Sequence, residues 1–331
     1  MSLSKIVSGA SQIFDKLPQG AQRLVVSPYL RKGLAILVAW KVLKAVNSYI
    51  SQCSQNNWVR IGPWDPTKEL AVLTGGSSGI GKQILEDLAK VNVKVIILDI
   101  QEPTFELPPN TYFYHADITS LSVVKAVANE IRKEHGNPTI LINNAGVGFG
   151  KTLLDSSEAN IRLTLDVNTT SHFWTVKEFL PAMIQKDHGH IITLASVASF
   201  ITVGELTPYC CSKAAALAFH EGLTQEIRHW YKSQRIRTSI IHPFWVRTPL
   251  IDNLLKEGNV KTPMMSPKDV SSAVVKQIVS QNGGQVILPS SQSSVSLLRS
   301  LPSWLQDRMR NETSLQIVRL RQLAKERGEE K

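Results

Sequence analysis

The sequence between residues 70 and 290 alternates short, continuously apolar segments with longer segments of helical character. The first apolar segment is Leu70–Thr74, and the others are 93–98, 112–115, 139–142, 190–195, 237–241 and 285–288. Strands that are apolar at every position are typical of a parallel sheet covered on both faces by helices. Right-handed crossovers through the intervening helices then predict an α/β fold, a doubly wound parallel sheet of the Rossmann type.

The turn after the first predicted strand is rich in glycine and leads into a predicted helix that begins near Ile80. Glycine lets the backbone turn tightly and approach a phosphate without an intervening Cβ, and the helix N-terminus offers free N–H groups. A glycine-rich turn between a strand and a helix is the context that a dinucleotide-binding loop requires. We therefore expect the pyrophosphate of a dinucleotide at Gly75, Ser77, Ser78, Gly79, Ile80 and Gly81.

An acidic residue, Asp99, ends the second predicted strand, about 20 residues after the glycine turn. A carboxylate at this place accepts hydrogen bonds from the adenosine ribose hydroxyls and repels a 2′-phosphate. The turn itself contains no Arg or Lys, and Ile100 follows the acid. The pattern favours NAD over NADP, although Asp99 is also a residue type that simply ends a strand in a turn.

Further short motifs follow the glycine turn in a fixed order, and together they resemble the short-chain dehydrogenase/reductase family over about 180 positions. The motif residues are Asp117 and Ile118, then Asn144, Ala145 and Gly146, then Asn168, Ser196, Tyr209 and Lys213. The resemblance implies that Asp117 meets the adenine and that Asn168 organises a proton-relay water. It also implies that Ser196, Tyr209 and Lys213 form the active site, with Lys213 reaching the nicotinamide ribose.

Tyr209 and Lys213 are four residues apart, so a helix places them on one face. An unperturbed tyrosine has a pKa near 10, too high for an efficient base at neutral pH, and a nearby cation lowers that value. We expect Lys213 to help lower the pKa of Tyr209, and Ser196 to hold the substrate oxygen. In the reductive direction Tyr209 becomes the acid.

The sixth predicted strand ends in His242-Pro-Phe-Trp-Val-Arg-Thr-Pro249, where the family usually has Pro-Gly. Pro243, Val246 and Thr248 match positions that frame the nicotinamide carboxamide, whereas Phe244 replaces glycine. This loop, Asp99 and the basic N-terminus resemble the branch containing retinol dehydrogenase 10-like and 17-beta-hydroxysteroid dehydrogenase 11-like enzymes. Residues 244–265 are expected to form a mobile lid over an apolar pocket, and ordinary core packing is the alternative.

The net charge of +10 lies in the two ends of the chain. Residues 1–60 carry eight Lys and Arg against one Asp, residues 299–331 carry eight against five acids, and residues 61–298 are neutral. Basic tails beside apolar residues fit an anionic membrane surface better than a nucleic-acid partner, and we expect no nucleic acid; the alternative is that charged tails simply aid solubility.

An apolar stretch begins at Gly33 and is interrupted by Lys41, Lys44 and Asn47, which lie near one side of a helix. It predicts a helix in the membrane interface or a short re-entrant one, with packing on the domain or on a second subunit as the alternative. The residues 295–305, followed by Arg308 and Arg310, are expected to lie on lipid near the pocket mouth. A final helix over 313–327 is expected to pack on a partner.

Three parts are predicted: an N-terminal tail (1–66, with 56–66 as a linker), a dehydrogenase domain (67–290) and an amphipathic C-terminal tail (291–331). The three cysteines offer no disulfide framework, so a reducing compartment is the default, and the eight histidines offer no metal set. The resemblance implies a catalytic domain that faces the cytosol at the endoplasmic reticulum or a lipid droplet, and a homodimer.

The expected activity is NAD-dependent hydride transfer to or from an apolar alcohol or carbonyl, such as a retinoid, a steroid or a long-chain lipid alcohol. Reduction of a secondary-metabolite carbonyl is the alternative reaction. A non-catalytic lipid-surface scaffold is the alternative of another class, and the complete set of Asn168, Ser196, Tyr209 and Lys213 argues against it.

Overall fold

The computed structural model describes residues 18–19, 27–251 and 264–326. Contacts divide the chain into two units, Met1–Ser54 and Gln55–Lys331. Of the predicted lid, 244–251 and 264–265 are described, and 252–263 lie outside the described residues, as does Arg327 of the predicted final helix.

Helix α1 spans Pro28–Gln55; all but its last residue belong to the first unit, and none of its residues is buried. Its most apolar window has a mean hydropathy of 1.3, so α1 is long and apolar enough to cross a membrane by length and composition. The exposed side chains include Leu34, Ile36, Leu37 and Trp40. Such a helix fits the membrane-interacting tail that the sequence predicts.

The second unit is built on seven parallel strands in the order β3-β2-β1-β4-β5-β6-β7. The strands are β1 Leu70–Thr74, β2 Lys94–Asp99, β3 Thr111–His115, β4 Ile140–Asn143, β5 Gly189–Leu194, β6 Ile236–Pro243 and β7 Gly284–Leu288. Every neighbouring pair is parallel. The predicted doubly wound α/β fold is confirmed, and all seven predicted strands are present, with each end within two residues of its predicted position.

Helices cover both faces of the sheet. They are α2 Gly79–Lys90, α3 Leu121–His135, α4 Glu158–Leu165, α5 Ser171–Lys186, α6 Thr207–His229, α7 Pro267–Val279 and α8 Ser303–Glu326. A π-helical turn, Asp166–Thr170, separates α4 from α5, and short 3-10 helices span Val197–Ser199 and Ser290–Ser300.

The two faces are separate apolar layers, because successive strand residues point to opposite sides. In β1, Val72 packs with residues of α3, α5 and α6, whereas Leu73 packs with residues of α2 and α7. The strand order reverses between β1 and β4, so the crevice between their carboxyl ends is where ligands bind in sheets of this kind.

Two expectations about the chain ends need correction. The predicted linker 56–66 is bonded to the sheet unit, because the Arg237 guanidinium donates to the carbonyl oxygens of Asn56 and Val59 at 3.0 and 2.6 Å. Val295 and Leu298, expected on lipid, are buried in the sheet unit with 8% and 0% exposure. Apolar sequence alone does not distinguish a side chain buried in protein from one buried in lipid.

Candidate active site

One cleft of about 470 Å³ opens at the carboxyl ends of the strands, beside the point where the strand order reverses. This volume lies in the range of small-molecule sites. The predicted site residues that line it are Gly75, Ser78, Gly79, Ile80, Gly81, Asp99, Asp117, Ile118, Asn144, Ala145, Gly146, Ser196, Tyr209, Lys213, Pro243, Val246 and Thr248. Two predicted site residues, Ser77 and Asn168, are buried behind its walls.

The glycine turn needs glycine for two separate reasons. Gly75 has φ +67°, and a Cβ there would lie 2.8 Å from the Cα of Ala145. A Cβ at Gly81 would overlap the carbonyl oxygen of Gly75. The turn therefore holds its shape only with glycine at these two positions, and it leaves the start of α2 close to the cleft.

Helix α2 begins without a side-chain cap, because the hydroxyl of Ser78, its N-cap residue, accepts no hydrogen bond from the first turn. The first N–H groups of a helix need an acceptor from outside the helix, and they carry the positive end of its dipole. Ser78, Gly79 and Ile80 line the cleft at this point. The uncapped helix start is therefore suited to an anionic group such as a phosphate.

Asp99 sits at the end of β2, with its carboxylate fixed by the neighbouring backbone. One carboxylate oxygen accepts from the Ser77 N–H at 3.0 Å, and the other accepts from the Gln101 N–H at 3.1 Å. The buried Ser77 hydroxyl donates to the Gln101 carbonyl oxygen at 2.6 Å, which ties the glycine turn to the end of β2. Ser77 thus fixes the position of the Asp99 carboxylate without lining the cleft itself. Asp99 both stabilises the glycine turn and lines the cleft.

Thr74 holds the two central strands together beneath the cleft, a role that the sequence reasoning missed. Its hydroxyl accepts from the backbone N–H groups of Asn144 and Ala145 at 3.0 and 3.1 Å. The Asn144 amide donates to the carbonyl oxygens of Thr74 and Gly75 at 3.0 and 2.9 Å. A threonine that ends a strand before a glycine turn is a weak signal in sequence, because threonine is common in strands.

Tyr209 lies at the start of α6, where its hydroxyl is within hydrogen-bonding reach of Ser196. Burial raises the pKa of Tyr209 to about 12; the hydrogen bond with Ser196 opposes this shift, and the nearby Cys210 thiol adds to it. The expectation that the pKa of Tyr209 is lowered is therefore wrong for this structure. Desolvation of the phenolate outweighs the other influences.

Lys213 lies one turn further along α6 and is 4% exposed. Its ammonium group donates to the Leu194 carbonyl oxygen at 2.9 Å and lies 5.6 Å from the centre of the Tyr209 ring. Burial lowers the pKa of Lys213 to about 8. The predicted proximity of Lys213 to Tyr209 on one helix face is confirmed.

Asn168 lies in the π-helical turn and is fully buried. Its side-chain oxygen accepts from the Val147 N–H at 2.8 Å, and its amide donates to the Val147 carbonyl oxygen and the Ser212 hydroxyl at 2.8 and 3.0 Å. A Cβ added to Gly146 would lie 3.4 Å from the Asn168 oxygen and 3.6 Å from the Lys213 nitrogen. Asn168 and Lys213 therefore converge behind Gly146, with Asn168 behind the wall of the cleft.

The loop after β6 closes the cleft opposite the glycine turn. Val246 pairs with Met265, so the two described ends of the predicted lid meet. The side chain of Thr248 faces the glycine turn, 3.4 Å from the Cβ position of Gly79. Phe244, which stands where the family has glycine, lines the same cleft.

Apolar side chains also line the cleft. They are Val147, Leu163, Val167, Phe244, Leu250 and Ile251. A further cluster of Val203, Leu206 and Cys210 packs against Tyr209, Trp245 and Ile317. Ile317 belongs to α8, which also accepts a hydrogen bond from the Gly204 N–H through the Ser314 hydroxyl at 3.2 Å. Helix α8 therefore packs on the sheet unit of its own chain through Ile317, where the sequence suggested a partner.

The cleft fits a dinucleotide on three observations: the glycine turn, the uncapped start of α2, and an acid at the end of β2. The turn and α2 would hold the pyrophosphate, Asp99 the adenosine ribose, and Lys213 the nicotinamide ribose. Among its described lining residues, Lys213 is the one cation. The described part of the chain also contains no group of three or more His, Cys, Asp or Glu residues that could hold a metal ion.

Comparisons with known proteins agree with this architecture. The family model for short chain dehydrogenases matches residues 69–259. The chain is 45% identical over 201 residues to dehydrogenase RED2 of Cochliobolus heterostrophus, covering 60% of this chain and 76% of that protein. It is 32% identical over 250 residues to human estradiol 17-beta-dehydrogenase 11, covering 73% and 81%.

A short-chain dehydrogenase/reductase from Burkholderia phymatum, solved in complex with NAD, shares the fold with a TM-score of 0.63 and 23% identity. The similarity covers 72% of this chain and 95% of that one. The relatives include the 17-beta-hydroxysteroid dehydrogenase 11 branch that the sequence resembles. Because the family model spans more than half of the chain and the sheet has the matching topology, this protein is an oxidoreductase of the short-chain dehydrogenase family.

Proposed function

We propose that this enzyme transfers a hydride between NAD(H) and an alcohol or carbonyl carbon of an apolar substrate, with Tyr209 as the general acid and base. The substrate class is a retinoid, a steroid or a long-chain lipid alcohol. The observation that carries the proposal is the placement of Ser196, Tyr209 and Lys213 in one cleft with the glycine turn.

The proton chemistry follows from the positions of these side chains. A bound nicotinamide would supply or accept the hydride. Tyr209 exchanges the proton with the substrate oxygen, and Ser196 holds that oxygen beside the phenol. Lys213 stabilises negative charge on Tyr209, and Asn168 fixes the wall from which a relay water would reach Lys213.

The proposed preference for NAD over NADP rests on Asp99. Its carboxylate is fixed at the cleft by two backbone N–H groups, and no described lining residue near it carries a positive charge. A 2′-phosphate there would meet a negative charge without a compensating cation.

An apolar substrate is supported by apolar side chains that line the cleft. They include Phe244, Leu163 and Leu250, and Trp245 packs against the same apolar cluster as Tyr209. A relative named estradiol 17-beta-dehydrogenase 11 is in keeping with an alcohol on a large apolar skeleton.

The test is a cofactor-coupled screen with detergent, in which retinol, steroid alcohols, long-chain alcohols and their carbonyl forms are offered with NAD(H) and NADP(H). Tyr209→Phe should lower kcat about a thousandfold while NADH binding, followed by its fluorescence, stays within twofold. Tyr231→Phe, at an exposed tyrosine outside the cleft, is the control. Wild-type turnover by Tyr209→Phe would remove Tyr209 from the mechanism.

We also propose that α1 attaches the enzyme to the endoplasmic reticulum or a lipid droplet, with the catalytic unit in the cytosol. The support is a helix of 28 residues with none buried and with basic residues beside its apolar stretch. A chain that begins at Gln55 should move from the membrane pellet to the supernatant and retain NADH binding. Continued pelleting of that chain with membranes would contradict the role of α1.

A further inference from the structure

His242 is the residue of β6 that lies beside the catalytic serine, and none of the proposed chemistry uses it. Its side chain is fully buried. The imidazole Nδ1 lies 2.9 Å from the backbone carbonyl oxygen of Ser196, and the ring packs against Phe200 with centroids 4.7 Å apart. A buried histidine whose ring is fixed in this way presents one defined nitrogen to the active-site loop.

The other ring nitrogen determines which tautomer is present. Nε2 lies 3.1 Å from the side-chain nitrogen of Gln285 on β7, the neighbouring strand. Burial lowers the pKa of His242 to about 4, so the ring is neutral at physiological pH and carries one N–H. The carbonyl oxygen of Ser196 can only accept, so the proton is on Nδ1 and Nε2 accepts from the Gln285 amide.

Ser196 is held by β6 at two points, His242 and Pro243, and by the 3-10 helix that follows it; of these contacts, the one with His242 is made by a side chain of the neighbouring residue. The Ser196 hydroxyl donates to the Pro243 carbonyl oxygen at 3.3 Å and accepts from the Ala198 N–H at 3.1 Å. The Ser196 carbonyl oxygen also accepts from the Ser199 N–H at 2.9 Å. The carbonyl keeps a partner without His242, but it loses the donor that fixes its direction relative to β6.

We propose that His242 is a positioning residue, which holds the Ser196 backbone so that the serine hydroxyl stays aligned with Tyr209. Gln285 supports this role by keeping the histidine proton on Nδ1. The inference rests on the proposed role of Ser196 as the group that orients the substrate oxygen. Since a misplacement of about 1 Å in an active site costs up to about a hundredfold in rate, the contact bears directly on kcat.

Replacing His242 by asparagine or by glutamine tests the contact with the Ser196 carbonyl, because the two amide side chains have the same polar group and differ in length. In His242→Asn the side-chain nitrogen replaces Nδ1 and can still donate to the Ser196 carbonyl, whereas in His242→Gln the amide reaches the Nε2 position instead. We expect His242→Asn to keep at least about a third of the wild-type kcat, and His242→Gln and His242→Leu to lose about tenfold. NADH affinity should stay within twofold in all three, because the glycine turn is untouched.

Equal kcat values for the Asn and Gln variants would overturn the proposal, as would a loss of NADH affinity that parallels the loss of turnover. A variant at Gln285 tests the same contact without changing a buried residue, so a loss of folding is not expected to obscure the result. Gln285 is exposed and lies outside the cleft, and the variant is Gln285→Leu. It should lower kcat about threefold with an unchanged melting temperature, because the histidine proton is then free to move to Nε2.

A second readout does not depend on turnover. In the full-length wild-type enzyme labelled with ¹⁵N-histidine, the His242 resonances should report a neutral ring protonated at Nδ1. A ring protonated at Nε2 would overturn the geometry even if no tested alcohol is oxidised. Absence of wild-type turnover with the intact Nδ1–H signal would instead count against the proposed function and leave the contact confirmed.

Discussion

Replacing Asp99 by asparagine removes the negative charge at the end of β2 with almost no change in side-chain volume. The Asp99 carboxylate accepts from the Ser77 and Gln101 N–H groups at 3.0 and 3.1 Å. The asparagine has one oxygen to accept with, so one of these N–H groups loses its acceptor. That structural cost is the same for NAD and NADP, and it cancels when the two cofactors are compared.

The expected change in cofactor preference follows from Coulomb's law. Two unit charges 4 Å apart near a protein surface repel by about 4 kcal/mol, and solvent and salt reduce this value. Since Asp99 is partly exposed, we take about half, roughly 2 kcal/mol, which corresponds to about thirtyfold. The ratio of kcat/KM for NAD to that for NADP should therefore fall by about thirtyfold in Asp99→Asn.

The assay is steady-state oxidation of a saturating alcohol with each cofactor, together with NADH and NADPH dissociation constants from fluorescence. Asp117→Asn is the matched control, because Asp117 is a second acid in the same cleft and is bonded to Thr119 in a turn of its own. It should change both cofactors equally, since the adenine is common to both. A ratio within threefold of the wild type in Asp99→Asn would refute the electrostatic reasoning.

Two further predictions concern stability. Burial alone would raise the pKa of Asp87, but hydrogen bonds from Lys268, Ser271 and Lys90 outweigh it and lower the pKa. The contacts with Lys268 and Ser271 join α2 to α7, so Asp87→Ala should lower the free energy of unfolding in urea by about 2 kcal/mol, and an unchanged value would contradict this role. A hydrogen bond with Glu69 raises the pKa of His188 above 6.5. The stability that this hydrogen bond contributes is therefore present at lower pH and is lost as the pH rises through the raised pKa. The melting temperature of the wild type should fall over that pH interval relative to His188→Gln, and the same pH dependence in both proteins would exclude the effect.

The sequence was sufficient to predict where most of the cleft would lie. Strands that are apolar at every position indicated a parallel sheet, and parallel strands bring their carboxyl ends to one edge. Gly75, Asn144 and Ser196 follow strands and Asp99 ends one, so predicting the strands was enough to bring them together. Tyr209 and Lys213 are four residues apart, so helical geometry alone was enough to predict that their side chains lie on one face of the helix.

Side-chain burial was beyond the reach of sequence motifs. Ser77 and Asn168 occur in the expected motifs, yet they lie behind the wall and bond to backbone groups of other segments. The contacts of Thr74 and His242 had no motif at all, because each joins residues about 46 to 71 positions apart. Only the folded register of neighbouring strands brings such partners together.

The pKa of Tyr209 illustrates why a correct residue set does not fix its chemistry. Spacing alone suggested that Lys213 would lower this pKa, but burial raises it to about 12 and lowers that of Lys213 to about 8. Both shifts favour the uncharged forms, which is the signature of desolvation acting on an acid and a base together. Proton removal by Tyr209 in the oxidative direction therefore depends on nearby positive charge, which Lys213 would supply from its place beside the ring.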